Sequence, residues 1–180
     1  MKGPNLHQKL WGIALAVGII AGLWQVAVLL YQNSPLATSF PLNNIGIAAF
    51  IGWSSFCLLG SRKSDFPKGL SHNYVGVLWG MLMIAIWSLI GRSGWQNYVG
   101  AFVGLAIGGA GIVLTANIRY LNSLPAMFLG STAFVACGGV FTVPVLVTTF
   151  LGLAIGAVLG IVSGSLGNFF NHKFFKEKSK

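Results

Sequence analysis

Phe50-Ile51-Gly52-Trp53-Ser54-Ser55-Phe56 and Phe128-Leu129-Gly130-Ser131-Thr132-Ala133-Phe134 read as two versions of one segment. Each carries Phe, Gly and Phe at the same spacing, with hydroxyl side chains between, and each lies in the second of three apolar runs. If every run crosses a bilayer, three crossings reverse the chain, so the two segments point opposite ways. That is the pattern of an inverted-topology repeat, the plan of many channels and transporters. The pair therefore predicts an all-α membrane protein: six transmembrane helices built as two inverted three-helix repeats.

Composition supports the lipid setting. Of 180 residues, 55% are apolar and only 7% charged, whereas a soluble domain carries about 25% charged residues. Such a chain has too few polar side chains to cover a water-facing surface. Lipid admits helices or closed barrels, and these long, non-alternating runs favour helices. The runs cover about 11–31, 40–60, 71–90, 95–116, 121–140 and 144–170, with Ser71 or Asn73 capping the third. Residues 11–91 then form the first repeat and 95–170 the second, with 1–10 and the basic tail 171–180 outside the membrane.

The net charge is +9. With the N-terminus in the cytoplasm, the inner segments hold Lys2, Lys9, Arg62, Lys63, Lys68, Arg119, Lys173, Lys176, Lys178 and Lys180, leaving only Arg92 outside. The positive-inside rule thus predicts that both termini are cytoplasmic. The excess of basic residues is read as topology control rather than nucleic-acid binding. The tail, where lysines mix with Phe174 and Phe175, suits an anionic lipid surface. The first apolar run is too long for the core of a signal peptide and is expected to remain as a helix. Cys57 and Cys137 fall toward opposite faces, which argues against a disulfide between them.

The repeat extends past the opening pair. At an offset of 78, Phe50, Gly52, Phe56 and Gly60 match Phe128, Gly130, Phe134 and Gly138, and Ser54 matches Thr132. At an offset of 76, Tyr74, Gly76 and Gly80 match Phe150, Gly152 and Gly156. The first and fourth runs share only glycine spacing, Gly18 and Gly22 against Gly104 and Gly108. The competing explanation is that glycine-rich membrane helices resemble one another.

Residues 50–60, the Pro67-Lys68-Gly69 turn leading into the run with Trp79, and residues 128–138 before the glycine-rich sixth run together resemble a family of small bacterial inner-membrane proteins, domain of unknown function 1097. The resemblance covers most of the chain, more weakly in the first run. It implies a bacterial inner-membrane, multi-pass fold and names no substrate.

The predicted hydrocarbon segments hold no Asp, Glu, Lys or Arg. Coupled transporters usually place an ionisable group at mid-membrane, so an uncoupled pathway fits better. Candidate lining residues are Phe50, Gly52, Trp53, Ser54, Ser55 and Phe56, with Phe128, Gly130, Ser131, Thr132 and Phe134. The glycines allow close approach or a break, the hydroxyls donate and accept, and the phenyl rings can constrict. Helix packing explains the same small residues equally well. Asn43, Asn44 and Asn122 are candidate mouths, or simply caps beside Pro41 and Pro125. His72 reads as an interfacial histidine with a possible gating role. No catalytic set, metal cluster or cofactor motif is visible. The expected function is a channel or facilitator for a small, uncharged polar solute, as a homo-oligomer. The alternatives are a non-transporting scaffold or assembly protein, or an ion-coupled small-molecule or anion transporter.

Overall fold

The computed structural model describes residues 6–175, and lysines 176, 178 and 180 of the predicted lipid-binding tail lie outside them. Within that span the chain is helical, with no strand among the described residues. The helices are α1 (Leu6–Gln32), α2 (Pro35–Ser39), α3 (Ile45–Leu58), α4 (Phe66–Ile90), α5 (Trp95–Thr115), α6 (Leu124–Ala136) and α7 (Val143–Phe175), with a 3-10 turn at Lys63–Asp65. Four apolar stretches are long enough to cross a membrane: Leu10–Gln32, Lys63–Ile90, Trp95–Thr115 and Val143–Phe174. The protein is a multi-pass membrane protein.

The two helices that carry the repeated segment are shorter than expected. α3 has 14 residues and α6 has 13, where a crossing helix needs about 20. Local chemistry sets both ends. Asn44 precedes α3 in a left-handed conformation (φ 66°), and Pro125 lies in the first turn of α6. At the far ends, Gly60 and Gly138 have φ 110° and 120°. Gly60 N–H donates to the Cys57 carbonyl and Ser61 N–H to that of Phe56; Gly138 and Gly139 do the same to Val135 and Phe134. These are paired Schellman closures, which need a left-handed residue after the helix. Ser61 fills the next left-handed position (φ 59°), where its counterpart is Gly139 (φ 60°).

Glycine contacts fix how the helices pack. On α5, Gly100, Gly104, Gly108 and Gly111 meet Trp87, Met83 and Trp79 of α4 in reverse order, making an antiparallel hairpin. α3 lies along α7 in parallel: Ala48 meets Gly152, Ala49 meets Gly156, and Trp53 and Phe56 meet Gly160. α6 lies along α4 in parallel, with Met127 on Gly76 and Ser131 on Gly80. α1 packs on α7, where Gly12 N–H donates to Asn171 Oδ1 at 3.1 Å and Gly167 rests on Ile13. Finally, α3 touches α6.

Two sequence matches change register. Gly76 leaves no room for a Cβ against the Met127 carbonyl, and Gly156 leaves none against that of Ala49. Gly130 and Gly52 likewise face the carbonyls of Asn73 and Leu153. The glycine sharing the surroundings of Gly76 is therefore Gly156, one helical turn beyond Gly152. Tyr74 and Phe150, matched at the offset of 76, instead pack on each other edge to face with centroids 5.0 Å apart. The shared spacing of α1 and α5 also carries no shared packing: Gly104 and Gly108 close on Met83, whereas Gly18 and Gly22 have nothing within 4 Å of a would-be Cβ.

Candidate functional site

The repeated segments have one face in and one face out, and they agree position by position. From 48 to 57 and from 126 to 135, buried, intermediate and exposed positions follow the same order. Gly52, Trp53, Ser55 and Phe56 are buried; Gly130, Ser131, Ala133 and Phe134 are buried at the matching places. Phe50, Ser54, Phe128 and Thr132 are exposed. Ser54 Oγ donates to the Phe50 carbonyl and Thr132 Oγ1 to that of Phe128, both at 2.9 Å. These four side chains lie on the outside of the bundle, with both hydroxyls bonded to their own helix, so they line nothing within a single chain. In lipid that back-bonding is the economical way to hide a hydroxyl.

The buried set faces the neighbouring helices. Phe56 and Phe134 have no exposed surface, and Phe134 joins Val77, Ala133 and Leu153 in an apolar core. Ser131 Oγ donates to the Phe128 carbonyl. Trp53 stacks on Phe50, with centroids 6.0 Å apart and planes 8° apart. Ser55 differs: its Oγ donates to Asn73 Oδ1 on α4 at 2.7 Å, with both side chains buried. At the matching places in the other half stand Ala133 and Leu153, both members of the apolar core.

α4 begins at Phe66, earlier than the predicted start near Ser71, because Pro67 occupies its first turn. That places His72 and Asn73 well inside the helix. His72 has no exposed surface and is packed inside the bundle. Its Nδ1 is 2.6 Å from the Lys68 carbonyl, and its Nε2 is buried without a partner. The Tyr120 ring, from the α5–α6 connection, is 6.5 Å away. The signal was available: Pro67 as the first-turn residue moves the start back by more than one turn.

The mouth candidates separate. Asn44 Nδ2 donates to the Ala136 carbonyl at 2.9 Å, tying the start of α3 to the end of α6. Asn43 lines an open cavity of about 260 Å³ with Tyr31, Gln32, Thr38 and Pro41. Asn122 is exposed. Trp79 and Trp87 tie α4 to α5, donating to Thr115 Oγ1 at 3.0 Å and Asn97 Oδ1 at 2.7 Å. Cys57 and Cys137 are both free thiols. Among the described residues no group of three or more His, Cys, Asp or Glu is placed to hold a metal ion.

The profile of the family described as "Protein of unknown function (DUF1097)" matches residues 14–168. The chain belongs to this family. It is also similar to the "Uncharacterized protein YahC" of Escherichia coli (strain K12), with 31% identity over 151 residues, covering 83% of this chain and 85% of that protein. No solved structure matches it. The match takes in both repeated segments and all or most of each of the four long apolar stretches, which agrees with a multi-pass membrane protein.

Proposed function

We propose that this protein is a channel or facilitator for a small, uncharged polar solute, which passes between two inverted three-helix halves, α1–α3–α4 and α5–α6–α7. The carrying observation is the pair of short helices, α3 and α6, at corresponding places in the two halves. Unusually short or interrupted membrane segments so placed are the best pointer to a binding site in repeat-built transporters. The packing supports a two-fold relation. α3 on α7 mirrors α6 on α4, α1 on α7 mirrors α5 on α4, and α3 meets α6. The six segments then cross in alternating directions, with α3 and α6 completed by their non-helical flanks.

The inner faces of the short helices, with Trp53, Ser55, Phe56, Ser131 and Phe134, form the central part of the pathway, while Gly52 and Gly130 set the helix crossings beside it. The cavity at Asn43 is its outer vestibule. Charge placement supports a bacterial inner membrane location with both termini cytoplasmic. Functional homo-oligomers and an anionic-lipid contact for the basic tail belong to the same reading.

Stopped-flow swelling of proteoliposomes over urea, short amides, glycerol, formate and acetate tests it. Rapid flux of one class, well above that of empty liposomes, is the expected result. Flux equal to that of empty liposomes for every solute, with folded protein, would falsify it. Function would then fall to a scaffold or assembly role, or to gradient-coupled transport.

A further inference from the structure

His72 presents a buried hydrogen-bonding atom that nothing in the fold uses. Its Nδ1 is 2.6 Å from the Lys68 carbonyl. A carbonyl only accepts, so Nδ1 carries the proton and the neutral ring leaves an acceptor lone pair on Nε2. That atom is buried with no partner, on a side chain with no exposed surface. Leaving such a group unpaired is costly, and more so in lipid. Natural structures rarely keep one without a water, ion or ligand to satisfy it.

The neighbouring polar contact is found on one side of the repeat only. The next residue, Asn73, forms the buried bond with Ser55. With Gly76 matched to Gly156 and Gly52 to Gly130, His72 and Asn73 correspond to Gly152 and Leu153, and Ser55 to Ala133. At the second place His72 has no imidazole counterpart and the Ser55–Asn73 bond has no polar counterpart; the buried polar groups nearest to it on α7 are Thr148 and Thr149, one turn earlier. The Tyr120 ring packs against His72 at 6.5 Å while remaining 51% exposed.

We propose that His72 Nε2 is a binding point for a neutral solute bearing an N–H or O–H donor, with Tyr120 as its cover. This rests on the pathway reading and gives it a chemical class: amides, alcohols and undissociated acids, each able to donate one hydrogen bond to imidazole. Gly152, the counterpart of His72, lacks any side chain and offers no equivalent imidazole acceptor.

The test is nitrogen-15 NMR of histidine-labelled full-length protein in lipid nanodiscs, titrated with acetamide and separately with acetone, which has nearly the same shape and no N–H. Acetamide is expected to shift the His72 Nε2 resonance, assigned by its loss in His72→Gln, while acetone leaves it in place. The resonances of His7 and His172 serve as internal references. In parallel, His72→Phe in proteoliposomes should lower acetamide flux about five- to tenfold, the effect of losing roughly one hydrogen bond, with assembly unchanged. Equal shifts from both solutes, or from neither, overturn the site. Flux of acetamide without a shift at His72 removes the site and leaves the pathway standing. A selective shift without flux keeps the site and removes the pathway.

Discussion

The two helix crossings at the heart of this protein share a backbone and differ in chemistry. Where α6 crosses α4, Gly76 and Gly130 receive the carbonyls of Met127 and Asn73; where α3 crosses α7, Gly156 and Gly52 receive those of Ala49 and Leu153. The backbones meet in the same way, and so do the closures at Gly60 and Gly138. The side chains nearby do not match. One half holds Ser55 bonded to Asn73 beside a buried His72, and the other holds Ala133 and Leu153 in the apolar core. Small residues at the crossings are thus a requirement of packing, felt equally in both halves. Buried polar groups occur in both halves, but the Ser55–Asn73 pair beside His72 has no polar counterpart at Ala133, Leu153 and Gly152, and such differences are where function is to be sought.

The comparison breaks most easily at the crossings. Gly76→Ala and Gly156→Ala each set a methyl against a carbonyl oxygen of the partner helix, and relief requires the helices to part. Each should destabilise the fold by about 1–3 kcal/mol, as overpacking does, and by similar amounts, read by denaturant unfolding in micelles. Gly18→Ala and Gly22→Ala, in open space, should stay within about 0.5 kcal/mol of wild type. A neutral Gly156→Ala beside a damaging Gly76→Ala would end the equivalence.

Next comes the polar pair. Ser55→Ala strands Asn73 Oδ1 in the interior at a cost of about 1–3 kcal/mol. The double change Ser55→Ala with Asn73→Leu copies the other half and should recover most of that loss. A double-mutant cycle measures the coupling, expected at about 0.5–3 kcal/mol; strict additivity would mean the two halves are not interchangeable there. Smaller still is Ser61→Gly, which places the residue found at 139 in a left-handed position. It should raise stability by up to about 1 kcal/mol. Ser54→Ala and Thr132→Val, outward and bonded to their own helices, should change stability by less than about 0.5 kcal/mol.

Much of this was legible in the sequence, for identifiable reasons. Phe50-x-Gly-x-Ser and Phe128-x-Gly-x-Thr align because burial alternates identically along α3 and α6, and a buried glycine at a helix crossing cannot drift. The third run aligns one turn off by sequence because the glycines four residues apart at 152, 156 and 160 look alike. Only the carbonyl each one meets tells them apart. Helix lengths were overestimated at α3 and α6 since hydropathy continues through Pro41 and Gly138, while the backbone leaves the helix at Asn44 and Cys137. Ser54 and Thr132 were assigned inward because hydroxyls in an apolar run suggest a lining. A hydroxyl bonded to the carbonyl four residues back is equally at home facing lipid.

Inversion of the two halves is the claim on which the rest depends. The direct test is labelling of single cysteines, Asn43→Cys and Asn122→Cys, in a Cys57→Ala, Cys137→Ala background, with a membrane-impermeant maleimide added to intact cells or to inside-out vesicles. These positions lie just before α3 and α6, and both are exposed. The account predicts labelling of Asn43→Cys from the outside only and of Asn122→Cys from the cytoplasmic side only. Labelling of both from the same side would contradict it: the short helices would then enter and leave by one face, only the four long stretches would cross, and the halves would lie parallel.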